Sequence, residues 1–125
     1  IKPREIDEPA GSPEELCEDD LQRAVLRRLT TRGLRPVPQY RIGGYRIDFL
    51  ITAPGGRRLA IECDSDRYGG PDAFARDLRR QSVLERVGNC VFVRVRASRF
   101  ARDPDAALEP VWRRAEDLGL VLRDG

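Results

Sequence analysis

The chain contains no histidine and no methionine, and only one of its 23 basic residues, Lys2, is a lysine. Without histidine, Ser-His-Asp and Cys-His catalysis, the HExxH zinc site and HNH-type chemistry are all excluded. Because every basic side chain after Lys2 is arginine, a lysine general base is excluded from the body of the chain; guanidinium groups hold phosphate well but do not deprotonate. The three cysteines, Cys17, Cys63 and Cys90, form neither a CxxC pair nor an even-numbered set. That argues against a disulfide framework or a structural zinc site and for a reduced, cytoplasmic setting. No apolar run approaches the ~20 residues of a membrane span. The absence of an initiator methionine predicts a piece of a longer polypeptide or a processed product, and the opening Ile1-Lys2-Pro3-Arg4 lacks the features of a secretory signal.

What is present fits one globular domain. The 125 residues are 40% hydrophobic and 35% charged, enough to build a single core and too apolar for wholesale disorder. Net charge is +2, but residues 1–20 carry eight acids against two bases, whereas residues 21–125 carry 21 bases against 13 acids. The body is therefore cationic, a balance suited to a polyanionic partner. Residues 1–11, acidic with Pro3, Pro9 and Gly11, read as a tether, and residues 12–125 as the domain.

Ser12-Pro13-Glu14-Glu15 spells a capped helix start, and Leu21, Val25 and Leu29 recur at four-residue spacing up to Gly33, predicting an amphipathic helix over 13–32. Cys17 lies on its acidic face. Short β-type runs at 37–42, 45–52 and 58–64, separated by Gly43-Gly44 and Pro54-Gly55-Gly56, predict an antiparallel meander. A helix over 71–87 ends at Gly88, an apolar strand follows at 90–95, and an Ala- and Arg-rich helix runs over 105–118. Cys63 and Cys90 lie in apolar strands and read as core residues, as does Trp112 on the last helix. The fold class is α/β, in the order α-β-β-β-α-β-α, with a four-stranded mixed sheet between helices.

Side chains alternate across a strand, so Glu62 and Asp64 share one face about 6–7 Å apart along the chain. Asp48 lies in the preceding strand, and a hairpin brings it near Glu62. Like charges so close raise each other's pKa and oppose folding unless arginines or a divalent metal sit among them. Carboxylates holding Mg²⁺ are a standard hard-ligand site that activates water and stabilises charge on a phosphodiester. Alternatively, Asp48 is a buried acid paired with Arg46 or Arg94. The run from Arg94 through Arg96 and Arg99 to Arg102 suits a phosphate backbone, or equally a solvated strand end.

The set Gln39, Tyr45-Arg46-Ile47-Asp48-Phe49 and Leu59-Ala60-Ile61-Glu62-Cys63-Asp64 resembles the restriction-endonuclease-like nucleases of the PD-(D/E)xK superfamily. It is most similar to relatives of the very-short-patch repair endonuclease found at the C-terminus of superfamily 1 helicases. The similarity runs on through Asp77, Arg80-Gln81, Leu84, Gly88, Arg94 and Asp103-Pro104, over about residues 12–112. The resemblance implies a DNA endonuclease domain that uses Mg²⁺ or Mn²⁺ on double- or single-stranded DNA and is linked to helicase or ATPase domains. It implies Asp48, Glu62 and the Cys63 carbonyl as metal ligands, with Asp64 at the position of the motif's lysine. Gln39 would orient water or a ligand, and Arg80 would contact the scissile phosphate. Apart from the resemblance, Arg67 and Tyr68, just after the acid strand, read as a loop pair that touches the strand being cut or equally does nothing. Departures stand at Gln22, where the family carries a glutamate that joins the metal site, and at Ser65 and Gly69. They leave a second reading, a catalytically degenerate fold that binds DNA as a targeting module, and a third, a protein-interaction domain tethered by its acidic segment.

Overall fold

The computed structural model describes residues 11–64 and 70–124. Residues 1–10 of the tether, Ser65, Arg67, Tyr68 and Gly69, and the side chain of Asp77, lie outside the described residues. Four strands, β1 (Val37–Ile42), β2 (Tyr45–Thr52), β3 (Arg58–Asp64) and β4 (Cys90–Arg96), form one sheet in the order β1-β2-β3-β4. β1, β2 and β3 are antiparallel neighbours, whereas β4 runs parallel to β3. A parallel pair needs a crossover, which α3 (Gly70–Val87) supplies.

Helices cover both faces of the sheet, as the near-continuous apolar content of its central strands requires. On one side Val25, Leu26 and Leu29 pack with Phe49, Ile51, Leu59, Ile61, Val93 and Val95, and with Ala107, Leu108, Val111 and Ala115 of the last helix. On the other, Leu84 closes a smaller cluster of Ile42, Ile47, Leu50, Ala60 and Cys90. Leu59, Ala60 and Ile61 are all fully buried, so β3 is the spine of the molecule. The α-β-β-β-α-β-α order and the mixed four-stranded sheet agree with the expectation from the sequence. Trp112 packs against the larger cluster, with the Arg32 guanidinium 4.7 Å from its ring centroid.

Periodicity predicts one helix over 13–32, but the structure has two: α1 (Pro13–Leu16) and α2 (Asp20–Thr31). Ser12 does cap a helix start, its Oγ accepting from the Glu15 N–H at 3.3 Å. Cys17 then turns extended, and Asp19 caps a new helix through a 2.8 Å bond from the Gln22 N–H to its Oδ1. An aspartate that bonds nearby backbone competes with helix continuation, which is the physical reason for the break. The break also buries Cys17 in the larger core, where its thiol donates to the Pro13 carbonyl; it is a packing residue, not one on an acidic helix face. A further short helix, α4 (Ala97–Arg102), precedes α5 (Pro104–Asp117), whose Asp103 cap accepts from the Ala106 N–H. Asp19→Ala should lower stability to urea by about 1 kcal/mol, the usual loss for an N-cap. An unchanged midpoint would show that the bond does not hold the break in place.

Candidate active site

The site forms where β2 parts from both neighbours. β1 pairs with β2 from Val37↔Leu50 to Pro38↔Phe49 and again from Tyr40↔Ile47, skipping the step at which Gln39 faces Asp48. Gln39 has a φ of 57°, an uncommon conformation for a residue with a side chain. On the other edge, the β2–β3 ladder runs from Thr52↔Arg58 only as far as Phe49↔Ile61. Beyond it, the Asp48 carboxylate takes over the pairing, its Oδ2 accepting from the Cys63 backbone N–H at 2.8 Å. Strain at such positions persists only where the surroundings fix it.

Into this gap opens a cleft of ≈ 390 Å³ lined by Arg46, Asp48, Glu62, Cys63, Asp64, Arg80 and Arg94. From α2, buried Gln22 donates through Nε2 to Asp48 Oδ1 (3.3 Å) and Glu18 Oε1 (3.4 Å). Its Oε1 accepts from the Glu18 N–H (2.9 Å) and Gln39 Nε2 (3.1 Å). Every donor and acceptor of that amide is thus in use. Gln22 is where the resemblance puts it, beside Asp48, but as a bracket for the carboxylate. From α3, Arg80 bonds Glu62 and the Arg46 carbonyl, and its guanidinium lies 5.9 Å from the Phe92 ring centroid.

Burial raises the Asp48 pKa, with the Cys63 N–H opposing and the Glu18 charge adding to it. Burial, then the charge of Asp48, pushes Glu62 up to about 8, against the pull of Arg80. The ion pair with Arg80 favours the Glu62 carboxylate and burial favours the acid. The pair is embedded, with side chains 18% and 13% exposed, so desolvation prevails. Burial thus draws Glu62 toward its protonated form, in which it hydrogen-bonds Asp48, while Arg80 holds the ionised form in place. The Cys63 thiol is raised by burial and is unreactive; the residue acts through its backbone.

The predicted residues do not all converge. Asp48 and Glu62 meet. Asp64 lines the same cleft but turns to Arg94, Oδ2 to Nη1 at 3.9 Å, and among the described residues no three His, Cys, Asp or Glu side chains are grouped to hold a metal ion. Of the two arginines the alternative reading gives to Asp48, Arg46 reaches Glu18 at 3.1 Å and Arg94 reaches Asp64. Arg94 lies opposite Glu62, and Arg96 opposite Asp64, along the β3–β4 ladder. Arg99 sits apart on α4, lining a second pocket with Ser98, Arg102, Asp103 and Ala106. Glu18 and Arg46 belong to the site's surroundings although their sequence context gave no reason to single out Glu18. The one available signal was Asp19-Asp20 as a second helix start, which displaces Glu18 from the helix.

A family model, REase_MTES_1575, matches residues 21–115. The chain belongs to this restriction-endonuclease-like family. The match spans α2 through most of α5 and includes every residue of the cleft. It marks the chain as a nuclease-type domain. No curated protein and no solved structure matches the chain. Among the described residues, no helix is long and apolar enough to cross a membrane.

Proposed function

We propose that this domain hydrolyses phosphodiester bonds in DNA with Mg²⁺ or Mn²⁺ bound at Asp48 and Glu62. The observation that carries the reading is the pairing of these two half-buried carboxylates at the parted ends of β2 and β3, inside an arginine-lined cleft. The residues fit such an ion: Mg²⁺ is commonly held by one or two carboxylates with waters completing the shell. Gln39 Oε1, buried and without a hydrogen-bond partner among the described residues, adds an oxygen acceptor beside the Gln22 bracket. The Cys63 carbonyl and Asp64 are the further oxygens the resemblance nominates.

When bound, the ion supplies Lewis-acid stabilisation of charge on the phosphate. The chain supplies the rest. Gln22 and the Cys63 N–H fix the Asp48 carboxylate, and Arg80 and Arg94 bring positive charge to the cleft. Positive groups lining the cleft stabilise developing phosphoryl charge. Arg96, opposite Asp64 on the β3–β4 ladder, and Arg99 on α4 supply further positive charge for the DNA backbone. The similarity to helicase-linked relatives of very-short-patch repair endonuclease supports a larger polypeptide with helicase or ATPase domains, and the free cysteines support a cytoplasmic setting.

The neutral, fully occupied amide of Gln22 favours one second reading, a domain that binds DNA without cutting it. Cleavage of supercoiled plasmid and labelled single strands, with Mg²⁺, Mn²⁺ or EDTA, separates the two. Cation-dependent cutting lost in Glu62→Ala is expected. Retained DNA binding with no cutting under any cation would replace the catalytic reading with the binding one.

A further inference from the structure

Arg80 occupies an unusual place for a residue expected to meet substrate. Its guanidinium is already committed to Glu62 and to the Arg46 carbonyl, beside the Phe92 ring and with its side chain only 18% exposed. It thus lies against one of the two carboxylates that the nuclease reading gives to the cation. A positive group bonded to a ligand carboxylate and a divalent ion on that carboxylate compete: each neutralises the same charge, two cations side by side repel, and Arg80 already holds Oε1, one of the two oxygens Glu62 has to offer. Arg46, the residue whose carbonyl anchors Arg80, lines the same cleft.

We propose that Arg80 is the built-in counter-cation of the Asp48–Glu62 centre, competing with the divalent ion for Glu62 and released by it toward the substrate phosphate. This inference rests on the metal-dependent nuclease reading and deepens it. One arginine then serves two states. Without the ion, Arg80 keeps the carboxylate pair from opposing the fold; with it, the freed guanidinium offers its fork of donors to a phosphate. Cation and DNA bind cooperatively as a result, because the ion makes available the group that contacts the backbone.

The signature is a crossed pair of effects. Arg80→Gln removes the competitor, so it should bind Mg²⁺ at least about tenfold more tightly, the equilibrium worth of one hydrogen bond to a charged group. The same variant should cut DNA more slowly, having lost the phosphate contact. Arg80→Lys keeps a cation in the cleft and should bind Mg²⁺ no more tightly than wild type. A residue that only props up the fold would weaken cation binding and cleavage together.

The experiment is Mg²⁺ titration by calorimetry on wild type, Arg80→Gln, Arg80→Lys and Asp48→Asn. All four proteins are titrated in one buffer at one pH, so that arginine is the only competitor that differs among them. Arginine side-chain N–H exchange by NMR on the wild-type protein reads the same event even if Arg80→Gln does not fold. The Arg80 signal should be protected without cation and exchange rapidly with saturating Mg²⁺. Weaker or unchanged Mg²⁺ binding in Arg80→Gln, or an Arg80 signal indifferent to Mg²⁺, overturns the proposal while Asp48-dependent binding in wild type leaves the nuclease reading standing. If wild type and Asp48→Asn take up no Mg²⁺ at all, both fall.

Discussion

Asp48→Ala is expected to reduce Mg²⁺-dependent DNA cleavage by about 10³-fold or more, the scale seen when preorganised electrostatic stabilisation is removed, while leaving a folded protein. The carboxylate has two duties in the structure. It faces Glu62 in the cleft, and it replaces the missing rung of the sheet by accepting from the Cys63 N–H at 2.8 Å. Alanine removes both. Loss of the acceptor leaves the Cys63 N–H without its partner, at roughly 1–3 kcal/mol, and takes from Gln22 Nε2 one of its two acceptors, Glu18 remaining. Removal of a carboxylate that burial already disfavours offsets this, so the change in stability is small beside the change in rate. Asp64 sets the contrast. It turns to Arg94 at 3.9 Å, and Asp64→Ala should slow cleavage far less than Asp48→Ala. Single-turnover cleavage, with circular dichroism to verify folding, measures the ranking. Equal losses for Asp64→Ala and Asp48→Ala would show that the Asp48–Glu62 pair is not the catalytic centre.

That ranking was only partly legible in the sequence. Strand periodicity locates Asp48 and Glu62 on adjacent strands, and hairpin spacing brings them together, because both depend on local chemistry: glycine-rich turns and alternating apolar residues. The convergence of Asp64 depends instead on how far β2 follows β3. The ladder ends at Phe49↔Ile61, and nothing in a two-residue alternation reveals where strands part. Gln39 is similar. Its φ of 57° belongs to a residue type with no strong preference for that region, so tertiary contacts impose it. The helix break at Cys17 was readable in principle, since Asp19 is a good N-cap, but the apolar stripe runs through it and dominates the pattern. The family match covers the same stretch as the motif, and the structure adds what the motif lacks: the Gln22 bracket, the Glu18–Arg46 pair and the lodging of Arg80.

The burial of Glu62 beside Asp48 also makes stability depend on pH in a direction opposite to that of an ordinary salt-bridged acid. Its folded pKa of about 8 lies above its ordinary value of 4.5. Below about pH 4.5 both folded and unfolded chains hold the proton, and the contribution to stability is fully present. Between these two values the unfolded chain releases the proton while the folded chain keeps it, so stability of the cation-free protein falls as pH rises, by at most ~1.4 kcal/mol per pH unit. The fall levels off above about pH 8, once the folded state ionises as well. Asp48, also raised, acts in the same sense. A divalent ion reverses the trend, because it stabilises the ionised pair and has only to displace a proton that leaves more easily at higher pH. Mg²⁺ should therefore raise the melting temperature little near pH 6 and much more near about pH 8, through binding to the native state alone. Urea unfolding in EDTA across about pH 5 to 9, for wild type and Glu62→Gln, isolates the effect, since the glutamine cannot titrate. If the wild-type slope matched that of Glu62→Gln throughout, the proton would not reside on Glu62, and the two carboxylates would not share the buried charge that makes the site ready for a cation.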